Sequence, residues 1–461
     1  MLERNHAAEV FEKIRKYSAA DEVEALIYSG HSALTRFANN TIHQNVAEEN
    51  TSISVRTVFG QRTARATTNK VDDESLKRVV EASESLARVQ QPDPDLLPMP
   101  AAGGSTASTK AVPSRHFAET AAITPGLRAD AVRKIVGIAE RHKLTAAGIF
   151  SSAESAEGIF NSCGLSDWHT HTSSEISVTM LAGDSSGWQK SNSPNVANLD
   201  AVALAEIAAK KALDSAHPKE IPAGKYTVIL EPAAVLDMAG FMFWDFGGMA
   251  ILDQRSFLNN RVGTRVFGGN INIWDDFAHP LQSGSIFDGE GMRRHRLQLV
   301  ENGVVKRLVY ARETAEKMKQ SEYRDKVGPI EATGHGFALP NEMGEAPLHI
   351  VFEAPGNPKS VPQMIAGTER GVLVTRLWYI REVDPYEKIL TGMTRDGTFY
   401  VENGQIQYGV RNFRFNESLI HMFSSVEEMG VPVRASGEES FDMVVPPIKV
   451  REFNFTEVTK F

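Results

Sequence analysis

The residues best suited to chemistry fall mainly in the second half of the chain. Asp275, Asp276, Asp288 and Glu290 form its carboxylate cluster, the last two inside Phe287-Asp288-Gly289-Glu290-Gly291. Carboxylates so grouped could bind a hard cation or divide the work of a general acid and base. Asp and Glu flanked by glycine also serve turns, where they accept backbone N–H groups, and this structural role is favoured. Thr333-Gly334-His335-Gly336 places a histidine in a loop, and Thr375 closes the apolar run from Gly371. An earlier constellation is Cys163 followed by His169 and His171, which share a face if their segment is a strand. One cysteine and two histidines are an acceptable zinc set, but the spacing matches no established signature, so the reading without metal is preferred. No G-x-S-x-G stands at a strand-to-helix turn, and neither G-x-G-x-x-G nor G-x-x-x-x-G-K-[ST] occurs.

The elements that would position these groups can be read from periodicity. Ala7 to Tyr17 carries Val10, Phe11 and Ile14 at helical spacing, and short strands are expected at 23–28, 32–37, 41–46 and 52–59. Asp72 or Asp73 caps a helix running to Val89, with Leu76, Val79, Val80 and Leu86 as its apolar stripe. Residues 91–125, with Pro92, Pro94, Pro98, Pro100 and Ala101-Ala102-Gly103-Gly104-Ser105-Thr106, form a long connection between domains. Asp130 to His142 is the next helix, strands are expected at 147–150, 158–161 and 175–181, and Ala201 to Ala216 is an alanine-rich helix. The order helix, strands, helix thus comes twice, so a structural repeat is an open reading.

Beyond Lys225 the texture turns to β. Tyr226 to Leu230 reads as a strand, and Glu231-Pro232 opens a helix whose proline stands where a missing N–H costs little. That helix is apolar on nearly every side, through Leu236, Met238, Ala239, Phe241, Met242, Phe243 and Phe246, which marks it as buried in its own fold or against a partner. Phe243 and Trp244 are candidate interface anchors, with core packing the commoner use. Asn302-Gly303 and Asn403-Gly404 mark tight hairpins. The fold class is therefore α+β: an N-terminal α+β domain, 1–220, with a repeat within it as the open reading, then a large, irregular β-rich, barrel-like C-terminal domain, 221–461.

Composition sets outer bounds. With 42% hydrophobic and 23% charged residues, the 461-residue chain has the make-up of an ordinary globular protein. A net charge of −9 disfavours a broad electrostatic grip on nucleic acid. No apolar run approaches the roughly 20 residues that span a bilayer, and the N-terminus has no signal-peptide core, so a cytoplasmic location is expected. Cys163 is the lone cysteine, which excludes an intrachain disulfide.

Taken in order, Asp275-Asp276, Phe287 to Gly291, Glu301-Asn302-Gly303-Val304-Val305-Lys306, Thr333 to Gly336, Gly371 to Thr375 and Val401-Glu402-Asn403-Gly404-Gln405-Ile406 resemble the TldD/PmbA family. Its bacterial and archaeal members are linked to cytoplasmic peptide processing. Their "modulator of DNA gyrase" label is not to be read as DNA binding for so acidic a chain. The resemblance implies a closed, irregular β structure in the C-terminal half. It also implies that the catalytic branch carries an H-E-x-x-x-H zinc motif on the helix before the double aspartate, with a third ligand from a cysteine near the C-terminus. Here 231–246 holds no histidine and 436–461 no cysteine. The chain therefore looks like the PmbA-like (TldE-like) branch, with no catalytic or metal-binding residues of its own and zinc expected in a TldD-like partner. Its expected partners are that zinc-bearing subunit in a heterodimer, or itself in a homodimer, together with peptide substrates, but neither nucleic acid nor membrane. The resemblance places Asn259 to Gly263 and Thr333 to Gly336 near the family's peptide cleft. It argues against His335 as a required proton shuttle, because members commonly have asparagine there. Two alternatives stay open: a stand-alone homodimeric peptide- or ligand-binding protein, and a metallopeptidase with an atypical metal site.

Overall fold

The computed structural model describes residues 1–102 and 112–459. Its first half is built from α1 (Arg4–Tyr17), β1 (Glu22–Ala38), β2 (Thr41–Phe59), β3 (Arg62–Thr68) and α2 (Asp73–Val89). After the connection come α3 (Ala118–Ala121), α4 (Pro125–Arg141), β4 (Thr145–Asn161), β5 (Ser166–Leu181), β6 (Ser186–Ser193) and α5 (Ala201–Asp214). Each pass is a helix, an antiparallel three-strand meander and a helix. The six strands join in the order β3-β2-β1-β4-β5-β6, with β1 and β4 paired antiparallel at the centre. That palindromic order is the repeat raised by the sequence. Part of the connection, 103–111, lies outside the described residues.

Strand alternation puts Val23, Ala25, Ile27 and Phe37 of β1 on the same face as Phe150 and Phe160 of β4 and Ile176 of β5. This face meets the helices in two cores, one under α4 and α5, the other under α1 and α2. Asp72 caps α2 by accepting from the Ser75 N–H at 2.9 Å. Leu86, expected inside, is 45% exposed, and Ser83 and Ala87 take the inner positions. The four short strands expected over 23–59 are two long ones, of 17 and 19 residues. Polar stretches such as 41–50 broke the apolar alternation without breaking the ladder, because that length of β2 is exposed and needs no buried face. The polar β6 carried no strand signal although none of its residues is exposed, because Ser, Gln, Lys and Asn supply no apolar alternation.

The second half begins with β7 (Gly224–Leu230), α6 (Pro232–Phe243), α7 (Gly248–Leu252), β8 (Ile273–Asp275), β9 (Leu297–Glu301) and β10 (Val304–Val305). It continues with α8 (Arg312–Gln320), β11 (Ile350–Phe352), α9 (Val361–Ala366), β12 (Arg370–Asp384), β13 (Ile389–Glu402) and β14 (Gln405–Gly409). It ends with β15 (Phe413–Ser418), α10 (Leu419–Ser424), β16 (Val426–Met429), β17 (Val433–Ala435), β18 (Met443–Val445) and β19 (Ile448–Val458). Five strands close a barrel in the circuit β12-β7-β19-β15-β13, sealed by the pairing of β13 with β12. A second sheet runs β10-β9-β8-β11-β18-β17. The Asn302-Gly303 and Asn403-Gly404 pairs have positive φ at both positions, 48° and 77°, then 51° and 76°, as two-residue hairpins require. Among the described residues no helix is long and apolar enough to cross a membrane.

The helix-free face of the first sheet lies against the second half through a largely polar seam. Asp167 pairs with Arg293, and Arg65 Nε donates to the Leu339 carbonyl at 2.6 Å. Arg434 reaches Asn192 at 2.6 Å and Asp442 at 2.9 Å, and Ser436 donates to Glu175 at 3.1 Å. Glu24, 1% exposed, accepts from Arg56 Nε at 3.2 Å and Nη2 at 3.1 Å, and from Arg65 Nη2 at 2.6 Å. Removing its carboxylate strands two cations in a dry site. Glu24→Ala should therefore lose about 3–5 kcal/mol of stability in urea unfolding. A loss below about 1 kcal/mol would mean that water reaches the pair.

Candidate functional site

The double aspartate divides its work. Asp275 ends β8, paired with Ile350 at the start of β11, so the backbone of neighbouring His349 comes within reach. The His349 N–H donates to Asp275 Oδ2 at 3.0 Å, and the Asp276 N–H to the His349 carbonyl at 2.9 Å. Asp275 Oδ1 faces His335 Nε2 at 3.1 Å and His349 Nδ1 at 3.9 Å. The His349 contact is too long for a hydrogen bond, and the His335 contact, at hydrogen-bond distance, lacks the alignment of one. Burial opposes ionisation of Asp275, but His335, His349 and Arg294 outweigh it and hold the carboxyl below the usual range. Burial, with Arg294 close by, pushes His349 down to about 3, so it is neutral. Asp276 turns away, accepting from the Ala278 N–H at 3.1 Å and pairing with Arg296 at 2.7 Å.

Thr333, His335 and Asp275 spell a hydroxyl–imidazole–carboxylate relay, with Thr333 Oγ1 and His335 Nδ1 3.0 Å apart. All three are buried, so no substrate can reach the hydroxyl. The hydroxyl is also occupied: it accepts from the Tyr310 N–H at 2.8 Å and donates to the Tyr310 carbonyl at 3.2 Å. The neighbouring carboxylates pin backbone too. Asp288 accepts from the N–H groups of Glu290 at 3.0 Å, Met292 at 2.8 Å and Gly336 at 2.8 Å. Glu290 accepts from the Arg312 N–H at 2.9 Å at the start of α8. Glu345 accepts from Met249 at 2.8 Å and Ala311 at 3.0 Å, the first turns of α7 and α8, where the helix dipoles favour a carboxylate. Burial raises Asp288, and burial together with Asp288 raises Glu290 to about 8.

The fold thus brings Asp275, Asp288, Glu290, Thr333 and His335 into one buried node. Thr375 lies elsewhere, on barrel strand β12 with its hydroxyl unpartnered, and a Cβ at facing Gly397 would come within 2.6 Å of it. His349, Glu345, Arg294 and Tyr310 complete the node, and no spacing in the sequence announced them. Phe243 is fully buried against Phe246 and Phe441, which removes it as an interface anchor. Trp244 is 46% exposed and stacks on Phe337. Gly183-Asp184-Ser185-Ser186-Gly187 carries the G-x-S-x-G letters but joins two strands, and the Ser185 hydroxyl donates to the Ala212 carbonyl at 2.7 Å. The turn borders a cavity of about 640 Å³ against barrel residues Asp396 to Thr398.

Helix α6 is the segment in which the family resemblance leads one to expect the zinc motif of the catalytic branch. Its carboxylates and those flanking it are committed: Glu231 to Lys211 at 2.6 Å, and Asp245 to Lys388 at 2.5 Å and the Phe257 N–H at 3.0 Å. Asp237, at the helix centre, accepts through Oδ1 from the N–H groups of Glu438 at 3.1 Å and Glu439 at 3.0 Å. Side chains are excluded along this contact: a Cβ at Gly240 would come within 1.6 Å of Ser440 Oγ, and one at Gly437 within 2.0 Å of Asp237. A zinc ion does not fit at α6, which has no imidazole and no free carboxylate. Cys163 has its thiol 3.5 Å from Glu22, and no third ligand to His169 and His171 comes from it.

Burial raises Asp237 to about 7 despite its two backbone donors. A folded value above the unfolded one means that stability from the protonated group is fully present below about pH 4 and is lost as pH rises through about 7. Asp237→Asn keeps the Oδ1 acceptor without the charge. Between pH 5 and 8 the parent should lose on the order of 2–3 kcal/mol more than the variant in urea unfolding. Parallel stability curves would show that Asp237 is ionised throughout.

The chain matches the family model described as PmbA/TldA metallopeptidase C-terminal domain over residues 223–457, and PmbA/TldA metallopeptidase domain 1 over residues 23–87. It is 21% identical to Metalloprotease PmbA of Escherichia coli O157:H7 over 415 residues, covering 86% of this chain and 84% of that protein. Metalloprotease PmbA homolog of Haemophilus influenzae is 22% identical over 436 residues, covering 89% and 87%. The crystal structure of TldE from Thermococcus kodakarensis superposes with a TM-score of 0.85 at 18% identity, covering 98% of this chain and 99% of that one. With both domain models matched, one of them across half the chain, the protein belongs to the PmbA/TldD family of metallopeptidase-related proteins.

Proposed function

We propose that this chain is the PmbA/TldE-like, non-catalytic subunit of a cytoplasmic peptidase complex. In this reading a separate TldD-like chain holds the zinc and cleaves unfolded or small peptides. The observation that carries it is the state of α6. Where the catalytic branch of the family needs two imidazoles and a free carboxylate, this helix offers apolar side chains sealed in the core and a carboxylate bonded to backbone. Zinc hydrolysis needs an open coordination position and a base beside it. The Asp275–His335 node supplies neither, since every member is enclosed. What the chain brings to such a complex is a rigid wall. Trp244, half exposed and backed by Phe337, is the member of the original interface pair still available to a partner.

The test is cleavage of an unfolded polypeptide by this chain alone, by an H-E-x-x-x-H relative from the same genome alone, and by the two mixed. Cleavage that requires both, and disappears when the glutamate of the relative's motif becomes glutamine, is expected. Cleavage by this chain alone, or unchanged cleavage by the relative without it, overturns the proposal. In the expected case Trp244→Ala should weaken association about tenfold or more, read by analytical ultracentrifugation.

A further inference from the structure

We propose that Glu157, His169 and His171 form a binding site for a divalent transition metal of the zinc class, on the helix-free face of the N-terminal sheet and unrelated to α6. Register creates the group. Glu157 of β4 lies directly opposite His169 of β5, and His171 follows two residues on, so all three project from one face. One ligand atom from each lies within 4.8 Å of the others. Small side-chain rotations would bring them to the separation of about 3.4 Å that ligands keep around a tetrahedral ion at 2.0–2.2 Å.

The second, independent observation is the state of the imidazoles. His169 is 8% exposed, and its Nε2 and the Nδ1 of His171 are buried without a hydrogen-bond partner. The rings stack at 5.4 Å. A buried, unpaired ring nitrogen costs stability, and two side by side, each within reach of a carboxylate, are unusual unless something takes both lone pairs.

Opposing charge comes from Arg115 and His116. The Arg115 guanidinium is tied to the carbonyls of Phe277 at 2.9 Å, His279 at 3.0 Å and Pro280 at 3.3 Å, and His116 to Glu154 at 2.7 Å. Two histidines and a carboxylate make a set that leaves a fourth position open for water or another donor. Stacked neutral imidazoles that merely fill space are the competing explanation, and the two differ in what they bind.

The experiment uses the full, untagged chain stripped with chelator and titrated with Co(II) or Zn(II). Bound metal is counted after desalting, and the visible d–d spectrum is recorded for Co(II). About one equivalent is expected, with nitrogen–oxygen ligation in the spectrum. His171→Ala should abolish stoichiometric binding, Glu157→Gln should weaken it about tenfold or more, and His116→Ala should leave it intact. Because a variant could fail by misfolding, thermal melting of the apo proteins accompanies the titration. Zinc should raise the midpoint of the parent and of His116→Ala but not that of His171→Ala, whose apo midpoint stays near the parent's. Binding of less than about a tenth of an equivalent by the parent, or equal binding by a His169→Ala/His171→Ala double variant, overturns the site. Metal content is read on this chain alone, so the result does not depend on whether the peptidase complex exists.

Discussion

Helices cover only one face of the six-stranded sheet, and the other face has to be buried against something. A sheet exposed on that side would be stable only if the face were wholly polar and hydrated. Here it carries Leu26 and Ile159 beside Glu24, Glu157 and His169, a mixture that neither water nor an oily core suits. The second half answers with a mixed surface of its own. Phe287 packs on Ile159 and Leu165, while Arg293 and Ser436 meet acids of the sheet and Arg434 meets its Asn192. Matching charge to charge across the seam fixes how the halves sit, since a shift of one strand register would bury cations without partners.

The same logic explains what the conspicuous acidic motifs do in the fold. A large irregular domain with short strands has many loop amides and helix starts that no ladder satisfies. Asp288, Glu290, Glu345 and Asp275 supply acceptors for them, and glycines at 334 and 336 let the backbone approach closely enough to be reached. Raised values for Asp288 and Glu290 beside a lowered one for Asp275 would suggest an acid–base pair on a surface. Sealed from solvent, they record only how burial and neighbouring charge share one set of protons.

Local chemistry made some of this readable beforehand. The Asp72 cap, the proline at the first turn of α6 and the two Asn-Gly hairpins are decisions taken within a few residues, and all were visible in the chain. So was the all-round apolarity of α6. Hidden were properties that depend on distant partners. The long β2 passed through a polar stretch without the alternation that signals a strand, because that stretch buries neither face. His349 and Glu345 joined the node through β11 and a loop with no mark in their spacing. Cys163 drew attention as a ligand beside His169 and His171. The acid that does stand among them, Glu157, is twelve residues earlier in sequence and is brought there only by cross-strand register.

Barrel closure has a consequence for the order in which the molecule is made. The last strand, β19, is hydrogen-bonded to β7 on one side and to β15 on the other, so it is an interior stave. Strand β7 leaves the ribosome more than two hundred residues before its neighbour does. Until β19 emerges, β7 keeps one edge open and the Phe413, Phe415, Phe453 and Phe455 cluster cannot assemble. The N-terminal sheet has no such dependence, since all six of its strands are complete by Ser193. Synthesis therefore runs as a sheet folded early and a barrel held open until β19 emerges, an interval in which that unpaired edge is exposed to chaperones and to mispairing with other nascent chains.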